Sequence, residues 1–239
     1  MQFFSYLYDK IECKMNNRLS LAISAVTKYL AGVAVMSALL FLPAGSWCFI
    51  GAWRLMLLLF IPMFILGVAL LIFAPELLEK RLKSKESRSK QSLAVKLSAL
   101  IFIGGFIVAA LDFRHSWSSM PMWVVVVASV VFLLSYALYG EVMRENMWLS
   151  RTIEVSENQT VVSSGLYSIV RHPMYSVTLT LFLSMPLILG SWYSFALFTL
   201  YIPIIILRIK DEERLLISEL NGYTEYCQRV RYRLIPYIW

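Results

Sequence analysis

The sequence predicts an all-α, polytopic integral membrane protein with about six transmembrane helices, including a C-terminal helical hairpin, and a cytoplasmic amphipathic tail. Three observations carry that class. Of 239 residues, 59% are hydrophobic and only 15% are charged, and the mean hydropathy is +0.68. Several apolar runs approach or exceed the ~20 residues that cross a hydrocarbon core of roughly 30 Å. Basic residues crowd alternate polar segments, the pattern that fixes orientation in a bilayer. A soluble chain of one or two domains is excluded by this composition. A transmembrane barrel would need repeated strands of ~10 alternating residues, whereas Trp123 to Leu134 is apolar almost throughout.

A polar segment to about Ser20 precedes a first span from roughly Leu21 to Leu42. That run exceeds a normal signal-peptide core, contains Lys28 and lacks a small-x-small site before Trp47, so it reads as a span. Pro43-Ala-Gly-Ser46 makes a turn, and a second span runs from about Trp47 to Phe73 with Pro62 inside it. Membrane helices tolerate proline where neighbours satisfy the freed carbonyl, so a kink is expected there. Ala74-Pro75-Glu76 ends the span ahead of a basic loop. A third span covers about Leu93 to Leu111, and Gly104-Gly105 at its centre invites close helix packing. Asp112, Arg114 and His115 occupy a short loop before a fourth span from about Pro121 to Tyr139.

A polar interval, Gly140 to His172, separates these spans from the mostly apolar segment Met174 to Leu207. As one helix its 34 residues would extend about 51 Å at 1.5 Å per residue. Gly190-Ser191 divides it, so a hairpin of two short helices is expected. Residues 1–145 form an N-terminal set of about four spans on the substrate side. Residues 146–239 form a core with hairpin and tail.

Three basic residues lie before Ser20, seven between Glu79 and Lys96, three between Gly140 and His172, and six after Leu207. The loops around Ser46 and His115 hold none and one. Six crossings therefore put every basic segment, both termini and the candidate site on the cytoplasmic side. The sequon at Asn158 then falls inside and is read as chance. The net charge of +7 sits at membrane edges, which favours contact with membrane lipids over nucleic acid. Cys13, Cys48 and Cys227 are too few and scattered for a disulfide framework. Two histidines without suitable neighbours predict no metal site.

Chemistry concentrates in two polar clusters that bracket the last apolar segment. The first is Gly165-Leu-Tyr-Ser-Ile-Val-Arg-His-Pro-Met-Tyr175. His172 precedes a proline and is pushed toward extended geometry, while Pro173 suits the first turn of a helix. A helix N-terminus favours an anion, and Arg171 and His172 would flank one. The competing reading is an interfacial belt of tyrosines with Arg171 snorkelling to the headgroups. The second cluster is Arg208-Ile-Lys-Asp-Glu-Glu213. Arg208 and Glu212 are four apart and share a helix face, either as a surface ion pair or as the cation and acid that grip an amino-acid zwitterion. No Ser/His/Asp arrangement, Walker loop or G-x-G-x-x-G is present.

The order GLYSIVRHPMY, split hairpin, RIKDEERLL and GYTEYCQRVRYRLIP resembles the isoprenylcysteine carboxyl methyltransferase family, whose wider group includes phospholipid N-methyltransferases. Pro75-Glu-Leu-Leu-Glu-Lys-Arg81 resembles a segment of its bacterial members. The likeness is strong from about Asn146 onward and weaker before it. It implies an S-adenosyl-L-methionine-dependent membrane enzyme in the inner membrane, if bacterial, acting on a lipid-like or lipidated substrate. It further implies that Gln159, Thr160, Val161, Val162 and Tyr167 line the cofactor. His172, Pro173, Met174 and Tyr175 would form the pocket lip, and Arg208 and Glu212 would face the methionine part. A carboxyl acceptor would need only a cation to orient it, for which Arg171 is the candidate. An amine acceptor would need a base, for which Glu213 is the candidate. The tail departs from the family at Leu220-Asn-Gly-Tyr223, and a glutamine expected upstream aligns near Thr152. A sterol-type membrane reductase using NADPH, and a non-catalytic transport or assembly protein, are the competing classes.

Overall fold

The computed structural model describes residues 2–82, 89–146, 148 and 159–239. Thr152 and Asn158 lie outside them. Nine α-helices and one 3-10 turn account for the regular structure of the described residues. Five helical segments are long and apolar enough to cross a membrane: Arg18–Ala44, Ile50–Phe73, Leu93–His115, Met122–Glu145 and Trp192–Glu219. A sixth apolar helix, Pro173–Leu189, is shorter. Only 11% to 33% of the residues in these spans are buried inside the protein. Such apolar exteriors are stable against lipid and costly against water.

Helix α1 (Gln2–Ala44) begins well before the expected span, because nothing in the polar leader breaks a helix. Helix α2 (Ile50–Phe73) continues through Pro62. The short α3 (Pro75–Leu82) turns the chain back along the basic end. Helices α4 (Ser89–His115) and α5 (Met122–Glu145) complete the first set. Gly105 is a close-approach site, since a Cβ there would overlap the Phe198 ring, but Gly104 faces open space. The expectation of tight packing at the glycine pair therefore holds for one of its two members.

The hairpin differs from expectation in its second arm. Helix α6 (Pro173–Leu189) ends at Gly190, whose φ of 85° is left-handed. Helices α7 (Trp192–Thr199) and α8 (Tyr201–Glu219) then follow almost end to end, so this arm is a full-length span. Pro203 lies in the first turn of α8 and has no N–H for the carbonyl one turn back, which places the interruption at Leu200. The tail carries α9 (Tyr223–Arg229).

Two ends of the bundle differ chemically. At one, buried Asp112 accepts hydrogen bonds from the Ser118 amide (2.8 Å), the Ser118 hydroxyl (2.5 Å) and the Ser191 hydroxyl (2.5 Å). These bonds tie the α4–α5 loop to the hairpin turn. Exposed Trp47, Trp117, Trp123 and Trp192 ring this end, as interfacial aromatics do. The opposite end gathers α3, the 3-10 turn, the start of α6 and the tail. The core between them is built from Phe49, Leu55, Phe106, Phe132, Ile188 and Phe198.

Candidate functional site

The site lies at the basic end, and glycine geometry starts it. Gly165 has φ 55° and sits against the Glu145 carboxylate, which accepts the Leu166 amide at 2.9 Å. This acid caps the 3-10 turn Gly165–Ser168 from the end of α5. Tyr167 is buried by the turn and receives Asn146 Nδ2 on its hydroxyl at 3.0 Å. Tyr226 of α9 donates to the Tyr167 carbonyl at 2.7 Å. Burial pushes the Tyr167 phenol above its ordinary pKa, with the Asn146 bond opposing, so it stays neutral.

The chain then pairs with its own tail. The Arg171 amide donates to the Tyr232 carbonyl and the His172 amide to the Arg233 carbonyl, each at 2.9 Å. This sets Arg171, His172 and Arg233 around buried Glu213. Arg171 Nη1 lies 3.2 Å and His172 Nε2 3.3 Å from Glu213 Oε1, while Arg233 Nε bonds Oε2 at 2.7 Å. The anion flanked by Arg171 and His172 at the start of α6 is thus the protein's own carboxylate. Arg233 was not anticipated, because its role exists only once the tail folds back.

Successive helix residues point about 100° apart, as 3.6 residues per turn requires. Glu212 and Glu213 are therefore divided between two surroundings. Glu213 faces the tail, whereas Glu212 accepts from the Tyr175 hydroxyl at 2.7 Å and lies 4.0 Å from His172 Nδ1. Arg208, one turn earlier on the same face, sits against Tyr175 and near Glu212. A phenol thus stands between an arginine and a glutamate.

Arg208, Glu212 and Tyr175 open onto a cavity of about 720 Å³, within the range of small-molecule sites. Gln159, Thr160, Val161, Val162 and Tyr167 line it, as do Arg171, His172 and Met174. Pro173 and Glu213 are not part of its wall. Arg81, Asn146, Tyr223 and an apolar wall from α2, α5 and α6 complete it. Sequence reasoning did not assign Arg81 or Tyr223 to a site. The signals were the place of Arg81 in the PELLEKR segment and that of Tyr223 in the tail segment Leu220-Asn-Gly-Tyr223.

The donor set fits an amino-acid zwitterion beside an aromatic and apolar group. Arg208 offers a cation, Glu212 an acid, and the Tyr223 hydroxyl is a buried polar atom without a hydrogen-bond partner. Valines and tyrosines supply flat apolar contact for a ring. Among the described residues, no three His, Cys, Asp or Glu side chains cluster to hold a metal.

Residues 122–218 match the family described as "Isoprenylcysteine carboxyl methyltransferase (ICMT) family". The matched segment covers less than half of the chain. The match begins with α5 and ends within α8, so it includes the lip and the Arg208–Glu212 face. Over 91 residues, 37% of this chain, the sequence is 32% identical to "Delta(14)-sterol reductase TM7SF2" of Mus musculus, covering 22% of that protein. Over 129 residues, 52% of this chain, it is 32% identical to "Cobalt-zinc-cadmium resistance protein CzcN" of Cupriavidus metallidurans, covering 56% of it. The chain thus spans about a fifth and about half of the length of these curated relatives.

Proposed function

We propose that this protein transfers a methyl group from S-adenosylmethionine to a lipid-like acceptor embedded in the membrane. The observation that carries the reading is the Arg208–Tyr175–Glu212 face on the cavity, inside the segment that matches a membrane methyltransferase family. When bound, S-adenosylmethionine supplies a methyl group on a sulfonium, already activated for transfer. Arg208 would take its carboxylate and Glu212 its ammonium, with Tyr175 holding the glutamate in place. Tyr167, Val161 and Val162 would contact the adenosine part. The protein's main contribution is then alignment and exclusion of water, and near-attack positioning alone is worth many powers of ten.

A carboxylate acceptor suits this site better than an amine. An amine must lose a proton, and the base must lie within reach of it. Glu213, expected in that role from the sequence, is outside the cavity wall and has both oxygens engaged by Arg171, His172 and Arg233. The base role is therefore not carried into this reading. Arg171 lines the cavity but already pairs with Glu213, so it steadies the lip and is a weaker candidate for the acceptor. The basic end, with both termini and the site, faces the cytoplasm by the charge rule.

The test is incubation of purified protein in lipid nanodiscs with S-adenosylmethionine carrying a tritiated methyl group, together with a membrane lipid extract. Label should enter the organic phase and be released as methanol by mild alkali, as a methyl ester requires. Alkali-stable label would instead support amine methylation, and no lipid-phase label would count against methyl transfer.

A further inference from the structure

After pairing with the cavity lip through the Tyr232 and Arg233 carbonyls, the tail makes one further turn, residues 234–239. Leu234 is buried among Tyr201, Ile204, Ile205 and Ile209 of α8, with Ala94 and Ile101 of α4 beside it. The Ser176 hydroxyl, in the first turn of α6, donates to the Leu234 carbonyl at 2.6 Å. Ser176 precedes Leu189 by 13 residues, and Ile205 follows Ser191 by 14. At 1.5 Å per residue, both lie about 20 Å from the hairpin turn at the aromatic end. A hydrocarbon core of roughly 30 Å measured from that end extends past both. The tail turn is therefore packed on helix surface that lies at lipid depth.

Its outer face is apolar. Tyr237 is 89% and Ile238 76% exposed, and Ile235 is exposed as well. Tyr237 has φ 66°, a left-handed geometry unfavourable for a bulky side chain. Its ring meets Tyr232 at 5.3 Å between centroids, yet most of its surface gains no protein contact. The backbone suits a place poor in water, where polar groups need internal partners. The amides of Arg233, Leu234 and Ile235 donate to the Trp239 carbonyl, and those of Ile238 and Trp239 to the Ile235 carbonyl. Pro236 has no N–H to satisfy. Tyr232, Tyr237 and Trp239 give this level the aromatic side chains of a membrane boundary. Exposed Arg229 and Arg231 just before them suit anionic headgroups.

We propose that residues 234–239 insert into the leaflet at the basic end, beside α4 and α8, and that this lipid contact holds the cavity lip. Lipid is the covering that fits, because the turn continues the surface of two spanning helices. The hold reaches the lip through the two backbone pairs and through Arg233, which bonds Glu213 at 2.7 Å. Insertion stands apart from the methyl-transfer reading, since it rests on the depth and exposure of the turn alone.

The experiment places a nitroxide on Ile238→Cys or Thr224→Cys of the full chain, carrying Cys13→Ser, Cys48→Ser and Cys227→Ala, in nanodiscs of phosphatidylcholine and phosphatidylglycerol. Power-saturation EPR compares collisions with oxygen, which concentrates in lipid, and with a water-soluble nickel chelate. Oxygen should prevail at Ile238, and nickel at Thr224, exposed on α9. Hydrogen exchange in the same nanodiscs reads the lip. Aspartate tolerates left-handed geometry and resists lipid, so Tyr237→Asp should speed exchange of the Arg171 and His172 amides roughly fivefold or more, as local opening would. Nickel prevailing at Ile238 would overturn the proposal. Low collision with both reagents would do the same, since protein and not lipid would then cover the turn. Unchanged exchange in Tyr237→Asp would also overturn it, because the lip would stand without the inserted turn. Should Tyr237→Asp not fold, the EPR comparison at Ile238 decides.

Discussion

The hydroxyl of Tyr175, in the first turn of α6, donates a 2.7 Å hydrogen bond to Glu212 on α8. The two residues are 37 positions apart, joined by a hairpin whose turn is anchored to Asp112 at the far end of the bundle. This bond closes one side of the cavity and sets the direction of the glutamate. Tyr175→Phe should therefore weaken S-adenosylmethionine binding by about 1.5–3 kcal/mol, the usual worth of a hydrogen bond to a charged group. Isothermal titration checks it, and an unchanged affinity would remove Tyr175 from the site.

Glu213 holds Arg171, His172 and Arg233 together while lying outside the cavity wall. Removing one partner of a buried ionic cluster leaves the others unmatched, at a cost of about 3–5 kcal/mol. Glu213→Ala should thus lower the thermal unfolding temperature in detergent markedly. A variant as stable as wild type would mean that the tail docks without this cluster.

Gly105 and Gly104 make a matched pair for packing. A methyl group at Gly105 would overlap Phe198, whereas at Gly104 it would meet nothing within 4 Å. Overpacking typically costs about 1–3 kcal/mol, so Gly105→Ala should unfold at lower temperature and Gly104→Ala should not. Equal behaviour of the two would contradict the α4–α7 contact.

Orientation is testable with a native probe, since Cys48 is exposed at the aromatic end of the bundle. In intact cells, a membrane-impermeant maleimide should label a variant whose only cysteine is Cys48. A variant whose only cysteine replaces Thr224, exposed on the tail, should react only after permeabilisation. The opposite pattern would invert the topology.

Much of this architecture was legible in the chain, because lipid imposes a simple rule on composition. Long apolar runs and the alternation of basic segments gave the spans without any knowledge of packing. The Arg208–Glu212 face was also visible, since helix periodicity is local. What could not be read depends on contacts far apart in sequence. Arg81 meets Met174 across 93 positions, and Arg233 reaches Glu213 only because the tail pairs with Arg171 and His172. The hairpin's second arm was misjudged for a different reason. Gly190 is a clear stop, but Pro203 interrupts α7 and α8 without ending the span, and a proline alone does not distinguish these outcomes.

In the proposed function, Arg208 and Glu212 form the zwitterion-binding face of an S-adenosylmethionine site. Isothermal titration of S-adenosylmethionine into wild type, Arg208→Ala and Lys210→Ala in detergent measures that face. Wild type should bind one equivalent. Arg208→Ala should lose about 1.5–3 kcal/mol, as expected for charge-assisted hydrogen bonds, while Lys210→Ala, exposed on another face of α8, should match wild type. Absence of binding to wild type, or equal losses in both variants, would mean that Arg208 and Glu212 do not hold S-adenosylmethionine.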